Sequence, residues 1–174
     1  MNKLFTRLAI VAALCTLLVA GSSCSLFKKG SRARVNTLLV TGNYLKPRLL
    51  CELAQYRSKQ PIILFEQDEE SDAPRLFYLS ASNKSEEIAA AKFAGFVKHL
   101  NPKTVIFLGD ESCVPAEYVS QVQDDFRVMH LNSTDWDRNA QMLGEILKQP
   151  KLNRLYLEYL QRYEEKAVPV TPAQ

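Results

Sequence analysis

A chain of 174 residues with 22 basic and 19 acidic side chains looks mildly basic as a whole, but the excess sits at its N-terminal end. Lys3, Arg7, Lys28, Lys29, Arg32 and Arg34 all precede Val35 and no acid does, so residues 35–174 hold 16 basic against 19 acidic groups. A folded part with that balance lacks the basic face that nucleic-acid binding needs, which excludes DNA and RNA as partners. Six glycines in the whole chain, with neither a G-x-G-x-x-G nor a P-loop among them, leave no backbone cradle for a nucleotide cofactor, and no cofactor is expected.

Taken in order, the chain opens with Lys3 and Arg7 around a short polar start. An apolar run from Leu8 to Ala20 follows, then the small residues Gly21, Ser22 and Ser23 before Cys24. This is the grammar of a signal peptide over residues 1–23, and the apolar run falls short of the ~20 residues that span a bilayer. A cysteine behind small residues resembles the bacterial lipoprotein box. That resemblance implies lipidation of Cys24, a membrane anchor there, and residues 24–35 as a lipidated N-terminus and basic tether. Ser25 resembles the pattern of lipoproteins sent to the outer membrane. Gly21 stands where the box usually has leucine, so ordinary cleavage near Ser23 and an uncleaved anchor stay open. The tether is either a solvated linker or a contact for anionic headgroups. The expected location is the cell envelope, facing the periplasm or the exterior.

With Cys15 in the leader and Cys24 lipidated, Cys51 and Cys113 are the cysteines left in the folded part. In an oxidising envelope the two can pair as a disulfide; the alternative is two small buried apolar residues.

Residues 36–166 alternate between strand and helix patterns. Thr37 to Thr41 is a β-type run closed by Gly42-Asn43, and Pro47 to Arg57 places Leu49, Leu50, Leu53 and Ala54 on one helical face. Ile62 to Phe65 reads as a second strand, followed by an acidic loop from Glu66 to Asp72. Leu76 to Leu79 reads as a weaker strand at an edge or in a hairpin. Asn83 with Glu86 predicts a capped helix carrying Ala89, Phe93, Phe96, Val97 and Leu100 on its inner face. Thr104 to Leu108 is a buried central strand. It runs into Gly109-Asp110-Glu111-Ser112 and a helix predicted from Pro115 to Phe126 through Tyr118, Val119 and Val122. Arg127 to Leu131 is the next strand. Thr134 with Asp137 predicts a cap for a helix bearing Trp136, Ala140, Leu143 and Leu147. After Pro150, a final helix carries Leu152, Leu155, Tyr156, Tyr159, Leu160 and Tyr163 on a face expected to cover the sheet, with Leu157 off that stripe. Residues 167–174, with two prolines and no periodicity, are expected to be a disordered tail.

Helices between strands of about five residues predict one three-layer α/β/α Rossmann-like domain with a mainly parallel sheet of about five strands. In such folds ligands sit outside the carboxyl ends of the strands, so Thr41, Gly42, Asn43, Tyr44, Gly109, Asp110, Glu111 and Ser112 are the candidate ligand-binding residues. Asp110 and Glu111 also have the chemistry for acid–base work, although a carboxylate pair on a turn more often serves solvation or a helix N-terminus. His99 and His130 lack metal-ligand spacing, the acidic loop lacks a calcium loop's glycine, and no G-x-S-x-G occurs, so no metal or catalytic constellation is expected.

The order of motifs resembles the cell wall-binding repeat of type 2. Val40-Thr41-Gly42-Asn43-Tyr44 is similar to that family's strand-ending Ser/Thr-Gly-Glu-Asn-Phe, and Pro61-Ile62-Ile63-Leu64 to its Pro-Ile-Leu-Leu. Ile106-Phe107-Leu108-Gly109-Asp110 with Val114-Pro115 resembles its later glycine-ended strand, and Val128 to Asn139, with Trp136 and Arg138, its closing strand and aromatic-bearing helix. The resemblance spans about Asn36 to Leu147 and implies non-covalent binding of an anionic cell-wall polymer, to which an acidic folded part is a poor match unless its charges segregate. Members usually carry tandem copies that pack together, so a homo-oligomer is one way a single copy could rebuild that packing. The chain departs at Arg48, where an Asp-Ala pair is usual, and at Asp110, where a second glycine is. These observations together predict a non-catalytic envelope lipoprotein that binds a cell-wall or surface component or a partner protein. The alternative is an envelope hydrolase or small-ligand enzyme using Asp110 and Glu111.

Overall fold

Leu38, Leu39 and Val40 are without solvent exposure, as are Val105 to Leu108, which places these two runs in the middle of a sheet covered on both faces. The computed structural model describes residues 35–68, 71 and 73–167. The signal peptide, Cys24, the tether up to Arg34, the tail beyond Ala167, and Glu69, Glu70 and Asp72 of the acidic loop lie outside the described residues. The strands are β1 (Thr37–Gly42), β2 (Ile62–Glu66), β3 (Arg75–Leu79), β4 (Ser85–Ile88), β5 (Thr104–Leu108) and β6 (Arg127–Leu131). The helices are α1 (Leu45–Ser58), α2 (Phe93–Leu100), α3 (Ala116–Ser120), α4 (Trp136–Ile146) and α5 (Leu152–Ala167), with a short 3-10 turn at Ala90–Lys92.

The six strands lie in the order β4-β3-β2-β1-β5-β6. β2, β1, β5 and β6 run parallel, with Leu39 opposite both Ile62 and Ile106 and Leu108 opposite Leu131. β3 and β4 add an antiparallel edge. The fold is therefore the expected three-layer α/β arrangement with one strand more than predicted. Alternation along the strands sorts the core into two halves. Leu38, Val40, Ile63, Phe65, Val105 and Phe107 face α2 and α3. Leu39, Ile62, Leu64, Ile106 and Leu108 face α1, α4 and α5. Each such residue, fully buried, contributes about 1.5–3 kcal/mol, so the sheet's two faces carry most of the stabilisation. Phe65, Phe93 and Tyr118 meet edge to face at 4.8–5.7 Å and join β2 to α2 and α3.

Four expectations are corrected. The helix predicted from Asn83 is instead a hairpin: Asn83 takes φ 59° in the turn, Ser80 N–H donates to the Lys84 carbonyl at 2.9 Å, and Ser85–Ile88 pairs with β3. Asparagine tolerates the left-handed conformation and so favours a turn over a cap here. The new strand β4, with Glu86 and Glu87 exposed, is the charged edge, and β3 takes the hairpin place that was one of its two expected positions. The helix expected over Pro115–Phe126 stops at Ser120, whose hydroxyl bonds the Glu117 carbonyl at 2.7 Å and competes with the helical ladder; turns carry the buried Val122 onward. The cap of α4 is Asp135, not Thr134, and its Oδ1 accepts from the Asp137 and Arg138 amides at 3.0 and 3.3 Å. Finally, Cys51 and Cys113 are free; Cys51 packs in the α1 half of the core and Cys113 in the α3 half, on opposite faces of the sheet.

Candidate functional site

The chain passes from β1 through α1 to β2 on one side, then returns to β5 on the other side of β1. The strand order thus reverses between β1 and β5, and their carboxyl ends flank the crevice where such folds hold ligands. The eight predicted ligand-binding residues lie on the two loops at these ends, although the Asn43 side chain turns away toward β2. Thr41 and Gly42 end β1, Asn43 and Tyr44 lead into α1, and Gly109 to Ser112 follow β5.

What fills the crevice is the chain itself. Thr41 Oγ1 donates to the Leu108 carbonyl at 2.8 Å and ties β1 to β5 in a fully buried bond. Tyr44 folds back over Gly42, where a Cβ would stand 2.8 Å from the tyrosine ring and 3.1 Å from Cys113 Cα. Gly109 has φ 95°, and a Cβ there would lie 2.6 Å from Cys113 Cβ and Sγ and 3.3 Å from the Trp136 ring. Glycine is needed at Gly109 for its conformation and packing, while a side chain at Gly42 would displace the Tyr44 ring and crowd the Cys113 backbone. His130 Nε2–H donates to the Gly109 carbonyl at 3.0 Å, closing the loop toward β6.

Asp110 is committed to the same loop. Its Oδ1 accepts from the Ser112 amide at 3.0 Å and the Ser112 hydroxyl at 2.5 Å, while its carbonyl accepts from the Cys113 and Val114 amides. The Ser112 hydroxyl and amide hold the Asp110 carboxyl below its ordinary value, which stabilises the carboxylate and opposes a role as proton donor. Burial, then the charge of Asp110, pushes the Cys113 thiol up, which disfavours its thiolate. Cys51, fully buried, is pushed up further. Among the described residues no group of three or more His, Cys, Asp or Glu side chains comes together as a metal site.

Asn43 belongs to a different neighbourhood. Its backbone amide donates to the Phe65 carbonyl at 2.6 Å, and its side-chain amide donates to Glu66 Oε2, which turns it toward β2. There it forms the wall of an open cleft of about 860 Å³ between α1, α5 and the β2–β3–β4 side of the sheet. A row of polar side chains crosses one rim. Arg48 donates from Nε to Glu52 at 2.7 Å and from Nη1 to Asn43 Oδ1 at 3.1 Å. Glu66 lies 3.9 Å from Arg75, which forms a bidentate pair with Glu87 at 3.1 Å. Tyrosines line the remainder: Tyr56 is 78 % exposed, Tyr159 40 % and Tyr163 50 %. Lys59 stands 5.5 Å over the Tyr56 ring and Arg162 5.5 Å over that of Tyr159. Buried Gln55 donates to the Gln60 and Ser80 carbonyls at 2.8 and 3.0 Å, fixing α1 to the hairpin at the cleft's base.

Sequence reasoning placed Tyr159 and Tyr163 on a sheet-covering face, and this is corrected: only Leu152 and Tyr156 of α5 are buried, and Leu157 is also exposed. One signal was available. A helix of 16 residues is ~24 Å long, whereas a five-residue strand covers ~17 Å, so its last turns overhang the sheet. The cleft's other members, Arg48, Glu52, Tyr56, Lys59 and Glu66, lie on the polar side of α1 or at a strand end, where no pattern in one sequence separates them from ordinary surface residues. Compared with known protein families, curated proteins and solved structures, the chain matches none.

Proposed function

We propose that this protein is a non-catalytic cell-envelope lipoprotein, anchored through Cys24, whose α/β domain binds a cell-wall or surface component in the cleft beside Asn43. The observation that carries this reading is the contrast in the site region. The loop carboxylate that an enzyme would use, Asp110, is bonded to its own Ser112, while the adjoining cleft of about 860 Å³ is open and lined by exposed tyrosines. That volume lies within the ~300–1,000 Å³ of ligand pockets. The motif resemblance to wall-binding repeats supports the same reading, and the signal-like N-terminus supports the envelope as the place of action. Relative to that family, Arg48 is a departure that serves the cleft, since it joins Asn43 to Glu52.

The test is retention of the full chain by purified envelope fractions, compared with Asn43→Ala. The expected result is retention by a wall or surface fraction that Asn43→Ala weakens about tenfold with the thermal midpoint little changed. Equal retention of both proteins would remove the cleft from the proposal, and no retention by any fraction would remove the function.

A further inference from the structure

We infer that the cleft between α1, α5 and the β3–β4 hairpin is built for the uncharged sugar rings of an oligosaccharide, an assignment that rests on the binding reading above and names its ligand class. Three properties of the lining lead there. The first is charge. Arg48 on α1 and Lys59 at its C-terminal end are matched by Glu52 on the same helix and Glu66 at the end of β2, and Arg48 is already paired to Glu52 at 2.7 Å, so the charged residues of the lining balance. The second is the exposed rings. Tyr56, Tyr159 and Tyr163 are 40–78 % exposed, and each offers an apolar body with a hydroxyl at its tip. A pyranose ring has the complementary shape: a C–H face that packs on an aromatic ring and a rim of hydroxyls that both donate and accept. The third is the polar rim. Glu52, Arg48, Asn43 and Glu66 are linked in sequence by hydrogen bonds, so planar donor and acceptor groups are held in place before a ligand arrives. Hydroxyls can join such a row without leaving a buried group unpaired, which is where polar specificity comes from.

Other ligand classes fit less well. An extended peptide gains affinity by adding to an unpaired strand edge, but β2 and β3, which floor the cleft through Leu64 and Phe77, are paired on both sides, and the edge strand β4 reaches the lining through Ser85 alone. A lipid chain would have to desolvate Arg48, Glu52, Lys59 and Glu66 without replacing their hydrogen bonds. A cleft of about 860 Å³ holds several linked sugars rather than one.

The experiment is calorimetric titration of the full chain, in a detergent without a sugar headgroup, with uncharged tetrasaccharides: β-1,4 and α-1,4 glucose and β-1,4 N-acetylglucosamine. We expect at least one to bind with Kd of about 1 mM or tighter. Affinity should change less than about twofold between roughly 50 and 500 mM salt, because no ion pair forms. Tyr159→Ala and Tyr163→Ala should each weaken it about tenfold, and Asp110→Asn should not. Absence of heat with every tetrasaccharide at about 10 mM overturns the assignment, as does binding that survives both tyrosine substitutions. If envelope fractions still retain the protein while no tetrasaccharide binds, this inference fails and the broader binding function stands; if neither occurs, both fail.

Discussion

The crest over β1 and β5 and the cleft beside α1 draw on the same stock of tyrosine, asparagine and carboxylate side chains, and they differ in what those groups are bonded to. On the crest, Thr41 is bonded to Leu108, Asp110 to Ser112, and the spaces above Gly42 and Gly109 are taken by Tyr44 and Cys113. In the cleft, Asn43, Arg48, Glu52 and Glu66 are linked only along the rim, and the tyrosine rings stand exposed around about 860 Å³ of open space. Topology alone therefore locates a region but not a site. The crevice at a strand-order reversal binds ligands when its loops leave it open, and here Gly42, Gly109 and Cys113 are packed shut while the loops' polar tips at Asp110 to Ser112 stay at the surface, with Asp110 bonded to Ser112.

The contrast predicts opposite responses to mutation. Gly109→Ala should give the largest loss of stability, about 2–3 kcal/mol in denaturant unfolding, because alanine at φ 95° is strained and its Cβ meets Cys113 at 2.6 Å. A loss under about 0.5 kcal/mol would mean the crest is looser than described. Thr41→Val should cost about 1 kcal/mol through the buried bond to Leu108, measured the same way. Tyr56→Ala and Tyr159→Ala in the cleft should shift stability by less than about 0.5 kcal/mol, since exposed rings contribute little to folding.

The smallest effect concerns pH. The Asp110 carboxyl lies below its ordinary value of 3.8 in the folded protein, so its contribution to stability is present above that value and is lost as pH falls through the lowered one. Ser112→Ala should raise the Asp110 titration toward 3.8 in a carbon-detected NMR titration and make the acid-side loss of stability shallower. An unchanged midpoint would show that Ser112 does not hold the carboxylate.

The parts of this fold that were legible in the sequence are those governed by burial. The runs Leu38 to Val40, Ile62 to Phe65 and Val105 to Leu108 read directly as strands because both faces are covered, and the eight loop residues followed from their ends. The misreadings arose where local chemistry has two outcomes. Asn83 followed by Glu86 fits a capping box or a left-handed turn, and pairing of Ser85–Ile88 with β3 decided for the turn. Asp135 and Thr134 can both cap α4, and the backbone geometry selected Asp135. The cleft was not legible, because it depends on α5 extending past the sheet and on Arg48, Asn43 and Glu66 meeting from three elements.

The most direct test is a hydrogen-exchange footprint of the full chain with and without the envelope fraction that retains it. The cleft account predicts slowed exchange at residues 52–59, 80–85 and 156–166, with 109–113 unchanged. Protection confined to 109–113 would put the ligand on the crest and contradict it.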